Sequence, residues 1–297
     1  MTYEDILQNL IETDERFMVL TAENRAAIRN LTDKIGDRFI DTGITEQTMI
    51  GVASGLALRG RIPVVHALAT FLTMRAFEFI RTDVGIGNLP VKLVGGFSGF
   101  FSEANGPTHQ AIEDVSIMRG IPNVNVFCPA DEEDMVICLK KILESSSPFY
   151  IRYNNLKSGY SHSKDFEIGK AEIISTGKDI TIIVYGMLFS QAMEAKEILE
   201  KQNLSVGLIN LRTVKPIDEK AIIEASKNSK LIVTLEDHFL TGGLFSITAE
   251  IFLKNKIMSE VMPIALKDKW FKPVLLGEVL EYEGFTGEKI AERILKK

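Results

Sequence analysis

Apolar positions along this chain follow two alternating periods. Residues 4–12 and 46–59 carry them at three- and four-residue spacing, which predicts helices; in the second, Met49, Ile50, Ala53, Leu56 and Ala57 fall on one face. Short apolar runs behind turn residues read as buried strands: "FIDTGIT" (39–45), "IPVVHALA" (62–69), "LPVKLVGG" (89–96), "VNVFCPAD" (124–131) and "PFYIRYN" (148–154). The segments "TMRAFEFIRTDVGI" (73–86) and "EEDMVICLKKILES" (132–145) between them read as helices. Such alternation predicts a mainly parallel sheet with helices on both faces. The stretch 155–170, "NLKSGYSHSKDFEIGK", is polar and has no apolar period. Beyond it the alternation restarts, with strands at 179–186, 205–211 and 230–237 and helices at 190–202, 218–228 and 244–256. The expectation is an α/β protein of two domains, 1–157 and 171–297, joined by a linker at 158–170.

Composition narrows the class without changing this picture. The chain has 297 residues, 45% hydrophobic and 25% charged, the balance of a soluble globular protein long enough for two cores. A net charge of −6 with no block of like charges argues against nucleic-acid binding. The apolar runs are too short to span a bilayer. The acidic, amphipathic start lacks the basic residues and cleavage site of a signal peptide, so a cytoplasmic location is expected. Cys128 and Cys138 then read as reduced thiols packed as small hydrophobes.

Generic site motifs are absent. "GIGNLP" lacks the later glycine of a dinucleotide loop, "GGFSGF" has Phe100 where a nucleophile elbow needs glycine, and the four histidines show no metal-ligand spacing. Two places still look chemical, because ligands of open parallel sheets bind at the carboxyl ends of strands. Glu46 follows the strand-and-glycine segment "FIDTGIT" and opens a mostly apolar helix; a helix dipole alone also favours an acid there. The loop "SEANGPTHQAIEDV" (102–115) follows "VKLVGG" and gathers Asn, Thr, His and Gln, residues suited to holding hydroxyls, although His109 also fits a simple capping role. Gly242 and Gly243 before a helix fit either an anion cradle or a tight turn.

Five segments occur in one order: "TGITEQTMIGVASGLAL", "ATFLTMRAFEFIR", "NGPTHQAIEDVSIMRGIPNVNVFCPAD", "INLRTVKPID" and "VTLEDHFLTGGL". Over roughly residues 37–155 and 178–250 the chain thereby resembles the carboxy-terminal two-thirds of a transketolase. The resemblance implies a pyrimidine-binding domain of a thiamine-diphosphate enzyme followed by the family's carboxy-terminal domain. The family glutamate matching Glu46 bonds N1′ of the cofactor's aminopyrimidine, where a shared proton favours the imino tautomer that deprotonates thiazolium C2. A glutamate in this role is partly desolvated, so that it keeps or shares a proton. The family stacks the pyrimidine on rings from the segment matching "TFLTMRAF", which points to Phe71 and Phe77, with Met74 where large transketolases often carry an aromatic; ordinary core packing is the other reading of both rings. Arg75 nearly matches an arginine of 1-deoxyxylulose-phosphate synthases and joins the cofactor-binding set. His109 matches the histidine that contacts sugar oxygens. Asn105 departs from the usual aspartate, which leaves the sugar open. Arg152 matches an arginine for the substrate's terminal phosphate, and Arg25 lies where another anion-contacting loop is expected.

A whole transketolase also carries a diphosphate-binding domain with a Gly-Asp-Gly motif followed by a spaced Asn, and this sequence has no such motif. The resemblance therefore implies a carboxy-terminal subunit that binds the aminopyrimidine end of thiamine diphosphate. A separate amino-terminal subunit would hold the diphosphate with Mg²⁺ or Ca²⁺, in a two-plus-two heterotetramer acting on a sugar phosphate or other acidic sugar. Three alternatives share the architecture: a 1-deoxyxylulose-phosphate-synthase-like enzyme, a beta-type subunit of a 2-oxo acid dehydrogenase, and a non-catalytic subunit that keeps the fold.

Overall fold

The computed structural model describes residues 1–297. The first half contains α1 (Tyr3–Thr13), β1 (Phe17–Thr21), β2 (Phe39–Asp41), α2 (Glu46–Leu58), β3 (Ile62–Leu68), α3 (Phe77–Phe79), β4 (Lys92–Gly96), α4 (Asp114–Arg119), β5 (Asn125–Phe127), α5 (Glu132–Glu144) and β6 (Phe149–Arg152). The second contains β7 (Glu172–Ser175), β8 (Ile180–Val184), α6 (Phe189–Lys201), β9 (Val206–Asn210), β10 (Thr213–Lys215), α7 (Glu219–Asn228), β11 (Leu231–Phe239), α8 (Leu244–Lys254), β12 (Glu260–Leu266), α9 (Leu276–Glu283) and α10 (Gly287–Leu295). The strands form a seven-stranded sheet, β10-β5-β6-β4-β3-β1-β2, and a five-stranded sheet, β12-β11-β8-β9-β7. Pairing is parallel except where β10 meets β5 and β7 meets β9.

Strand alternation assigns the two faces of the first sheet. Phe17, Val19, Val64 and Ile151 pack with α1 and α5. Met18, Leu20, Val65 and Leu93 pack with α2, the 71–85 segment and α4. Helix α1 is set by a capping box in which Thr2 and Asp5 bond each other's backbone, a device worth about 1 kcal/mol. In the second sheet Ile182, Val184, Leu208 and Leu235 face α6 and α10. The opposite face joins Ile183, Tyr185, Ile222 and Leu244 to the apolar cluster under α2, so one core runs through both halves.

Two features differ from the sequence expectation. The segment 73–86 is not one helix: π-type turns at Phe71–Arg75 and Ile80–Gly85 flank the short α3. The halves are also not beads on a linker. Strand β10 comes from the second half yet closes the edge of the first sheet, with Thr213 opposite Phe127 and Lys215 opposite Val126. The polar stretch 155–170 is fastened in place, with Phe166 and His162 buried. His162 lies between Asp131, at 3.0 Å from Nε2, and Glu172, at 2.7 Å from Nδ1. Arg212 adds bonds to Asp134 Oδ1 (2.6 Å) and to the carbonyls of Ser163 and Asp165. The segment is polar because it carries ionic fasteners, a purpose that leaves no apolar period to read.

Burial opposes charge on His162, but its bonds to Asp131 and Glu172 prevail and raise its pKa to about 10. A histidine raised above its unfolded value of about 6.5 stabilises fully below that pH, and the contribution fades as pH rises through the folded pKa. Urea unfolding should therefore show wild type most favoured over His162→Gln near pH 5.5, with the difference narrowing as pH rises toward 10.

Candidate active site

Glu46, Phe71 and His109 all follow strands of the first sheet at its carboxyl edge, after β2, β3 and β4 respectively. Glu46 opens α2 and is 2% exposed. Its Oε2 accepts from Arg75 Nη1 at 2.9 Å. The Arg75 guanidinium carbon stands 4.1 Å from the centre of the Phe71 ring, which is half-buried. Phe71 and Arg75 are the two ends of one π-type turn, a distortion frequent at functional sites. The Phe71 ring also meets the His109 ring edge-on at 5.1 Å. The chain thus brings a buried carboxylate, an aromatic face, a guanidinium and an imidazole into one place.

The His109 loop is held by neighbours that sequence reading did not single out. Thr70 Oγ1 donates to the His109 carbonyl at 2.8 Å, and Thr108 Oγ1 lies 2.9 Å from His109 Nδ1. Those bonds leave Nε2 as the ring nitrogen available to a ligand. Gln110 is buried, and its Nε2 donates to the Phe271 carbonyl at 2.9 Å, tying the loop to the second half. Gly99 has a φ of +56°, and a Cβ there would lie 1.7 Å from Asp237 Oδ2, so only glycine allows this approach. Asn105 ends the short helical turn at 100–105 and is exposed on the same loop as His109. Met74 is half-buried, and Phe77 packs against the central core. The other side of the sheet edge carries a cavity of about 260 Å³ lined in part by Asn24, His66, Phe97, Glu103 and Tyr153.

Two sequence expectations are corrected, and one open alternative is decided. Arg152 is not free to take a substrate anion. It is 3% exposed, and its guanidinium bonds Asp114 Oδ2 at 2.9 Å through Nε and Asp237 Oδ1 at 2.7 Å through Nη1. Tyr150 completes the group by donating to Asp114 Oδ2 at 2.6 Å. Arg25 is exposed but already paired, with Nη2 2.7 Å from Asp41 Oδ2. The start of α8 after Gly242 and Gly243 is no open anion cradle, because Glu236 fills it, accepting from the amides of Leu244 (2.6 Å) and Phe245 (3.0 Å). Burial raises the Glu236 pKa to about 8 despite those two bonds.

Comparison with known proteins agrees with this architecture. Residues 1–158 match the family model for the transketolase pyrimidine binding domain, and residues 169–290 that for the transketolase C-terminal domain. A protein of Methanocaldococcus jannaschii named "Putative transketolase C-terminal section" is 34% identical over 301 residues, covering 99% of this chain and 94% of the relative. The 6-deoxy-6-sulfo-D-fructose transketolase subunit SqwH of Clostridium sp. is 36% identical over 293 residues, covering 97% and 91%. The 1-deoxy-D-xylulose-5-phosphate synthase of Dictyoglomus thermophilum is 34% identical, and there the match takes 99% of this chain but 49% of the relative. Among solved structures, a split gene transketolase described as an inactive beta4 tetramer superposes with a TM-score of 0.89 at 31% identity, covering 99% of this chain and 96% of that one. The chain belongs to the transketolase family and is a transketolase-type subunit, with the thiamine-diphosphate dependence of that family.

Removing Arg152 would leave Asp114 and Asp237 buried without their cation, a change that costs about 3–5 kcal/mol for one such pair. Arg152→Ala should lower the urea midpoint strongly in equilibrium unfolding. Arg25→Ala, at an exposed pair, should change stability by about 1 kcal/mol or less in the same measurement.

Proposed function

We propose that this chain is the carboxy-terminal subunit of a split transketolase, transferring a two-carbon ketol unit from a ketose to an aldose. The observation that carries the reading is the buried Glu46 carboxylate beside the half-open face of Phe71. An aminopyrimidine needs a carboxylate at its N1′ edge and a flat apolar surface for its ring, and these residues fit it. When bound, thiamine diphosphate supplies the nucleophilic carbon that accepts the ketol unit. Glu46 would hold the proton at N1′, in surroundings that exclude water. Phe71 would carry the ring, with Met74 and Phe77 on the same segment as further contacts. His109, with Nδ1 engaged by Thr108, would present Nε2 to a sugar oxygen, and Asn105 would both donate to and accept from a hydroxyl.

The residues here do not fit the metal-diphosphate end. The cluster of acids and histidine able to gather around an ion is Asp134, His162 and Glu172, and Arg212 already bonds two of its carboxylates. An amino-terminal subunit bearing Mg²⁺ or Ca²⁺ is therefore part of the proposal, in a heterotetramer of two copies of each chain. The likeness to the SqwH subunit and the neutral Asn105 favour an acidic sugar outside the common pentose phosphates, phosphorylated or sulfonated. With Arg152 committed to Asp114 and Asp237, and Arg25 paired with Asp41, the anionic end of that sugar falls to the partner. A 1-deoxyxylulose-phosphate-synthase-like reaction remains the second reading, supported by the identity to such enzymes; it would consume a 2-oxo acid donor with release of CO₂.

Titration calorimetry with thiamine diphosphate and Mg²⁺ tests the division of the site. We expect no tight binding by this chain alone, binding in the mixture with the amino-terminal subunit, and loss of at least tenfold in affinity with Glu46→Ala or Phe71→Ala. Tight binding by the chain alone would overturn the split-site reading.

A further inference from the structure

The guanidinium of Arg75 stands against the two groups assigned to the cofactor's aminopyrimidine. Its Nη1 lies 2.9 Å from Glu46 Oε2, and its carbon lies 4.1 Å over the Phe71 ring. That is the hydrogen bond given by Arg75 and the one accepted by the Glu46 carboxylate. We propose that Arg75 is the internal occupant of the aminopyrimidine seat, its guanidinium standing in for the ring until cofactor loading swings it out. The inference rests on reading Glu46 and Phe71 as that seat.

Three physical points carry it. A carboxylate 2% exposed needs a partner, since an unpaired buried charge is among the most expensive features a fold can hold. No side chain caps the start of α2, so without cofactor Arg75 is the side chain that serves Glu46. The substitute is also chemically apt. A guanidinium and an N1′-protonated 4-aminopyrimidine are both planar, both point an N–H at the carboxylate, and both lay a π face on an aromatic ring. Finally, the occupant is free to leave. The Arg75 side chain is 41% exposed while Glu46 is 2% exposed, so the lid of the pair faces solvent and its base lies in the core. Phe71 and Arg75 are four residues apart on one turn, so rotation of the arginine stem uncovers the ring without moving it.

The test uses the isolated chain and 4-amino-2-methylpyrimidine as the probe, with binding read by saturation-transfer NMR and by the shift of the melting temperature. Arg75→Ala should bind the probe at least tenfold more tightly than wild type, and millimolar guanidinium should compete with it. Arg75→Lys keeps a charge for Glu46 but loses the planar fork. It serves if the alanine variant fails to fold, and it too should bind more tightly than wild type. Loss of probe binding when Glu46→Ala is added would place the probe in the seat. Equal binding by wild type and the Arg75 variants, abolished by Glu46→Ala, would overturn the proposal and leave the seat intact. Binding by none of these chains would also overturn it, and calorimetry on the assembled enzyme would then decide separately whether Glu46 and Phe71 form the seat.

Discussion

One buried cation fastens the two halves of this molecule and sets the place of its chemistry. Arg152 ends β6 in the first sheet and holds Asp237 of β11 in the second, while Asp114, at the start of α4, closes the other side. The same aspartates border the loop that carries His109: Gly99 presses on Asp237, and Asp114 begins the helix that follows the loop. Desolvating three charges is worthwhile only when each finds its partner. Here the result is a fixed geometry between sheets, and from it the position of the histidine loop beside Phe71.

The fold was legible where periodicity was strong. Parallel order, the helix from Glu46 and the strands at 62–68 and 180–184 follow from apolar spacing and turn residues. Other elements left weaker signals. Strand β10 is three residues long and pairs across the halves, so no local pattern announces it. The fasteners in 155–170 are polar side chains whose partners lie elsewhere in the sequence, such as Asp131 for His162 and Asp134 for Arg212.

The candidate site divides along the same line. Glu46, Phe71 and His109 were visible by resemblance and meet in space. Arg152 was visible too, but its role depends on Asp114 and Asp237, and residue type alone cannot separate an arginine for substrate from one consumed inside the protein. Thr70 and Thr108 act through a carbonyl and a ring nitrogen of His109, contacts that only the folded loop discloses. The two adjacent glycines before α8 invited an anion, and the chain supplies its own in Glu236.

The central claim is that Glu46 governs proton transfer on a cofactor shared with another subunit. Its most direct test is the exchange rate of the thiazolium C2 proton in the assembled complex, followed by quenched NMR. Glu46→Gln keeps a hydrogen-bonding side chain but cannot shuttle the proton. The account predicts exchange slower by about 10²-fold or more with cofactor still bound. Equal exchange rates in wild type and variant, at equal occupancy, would contradict it.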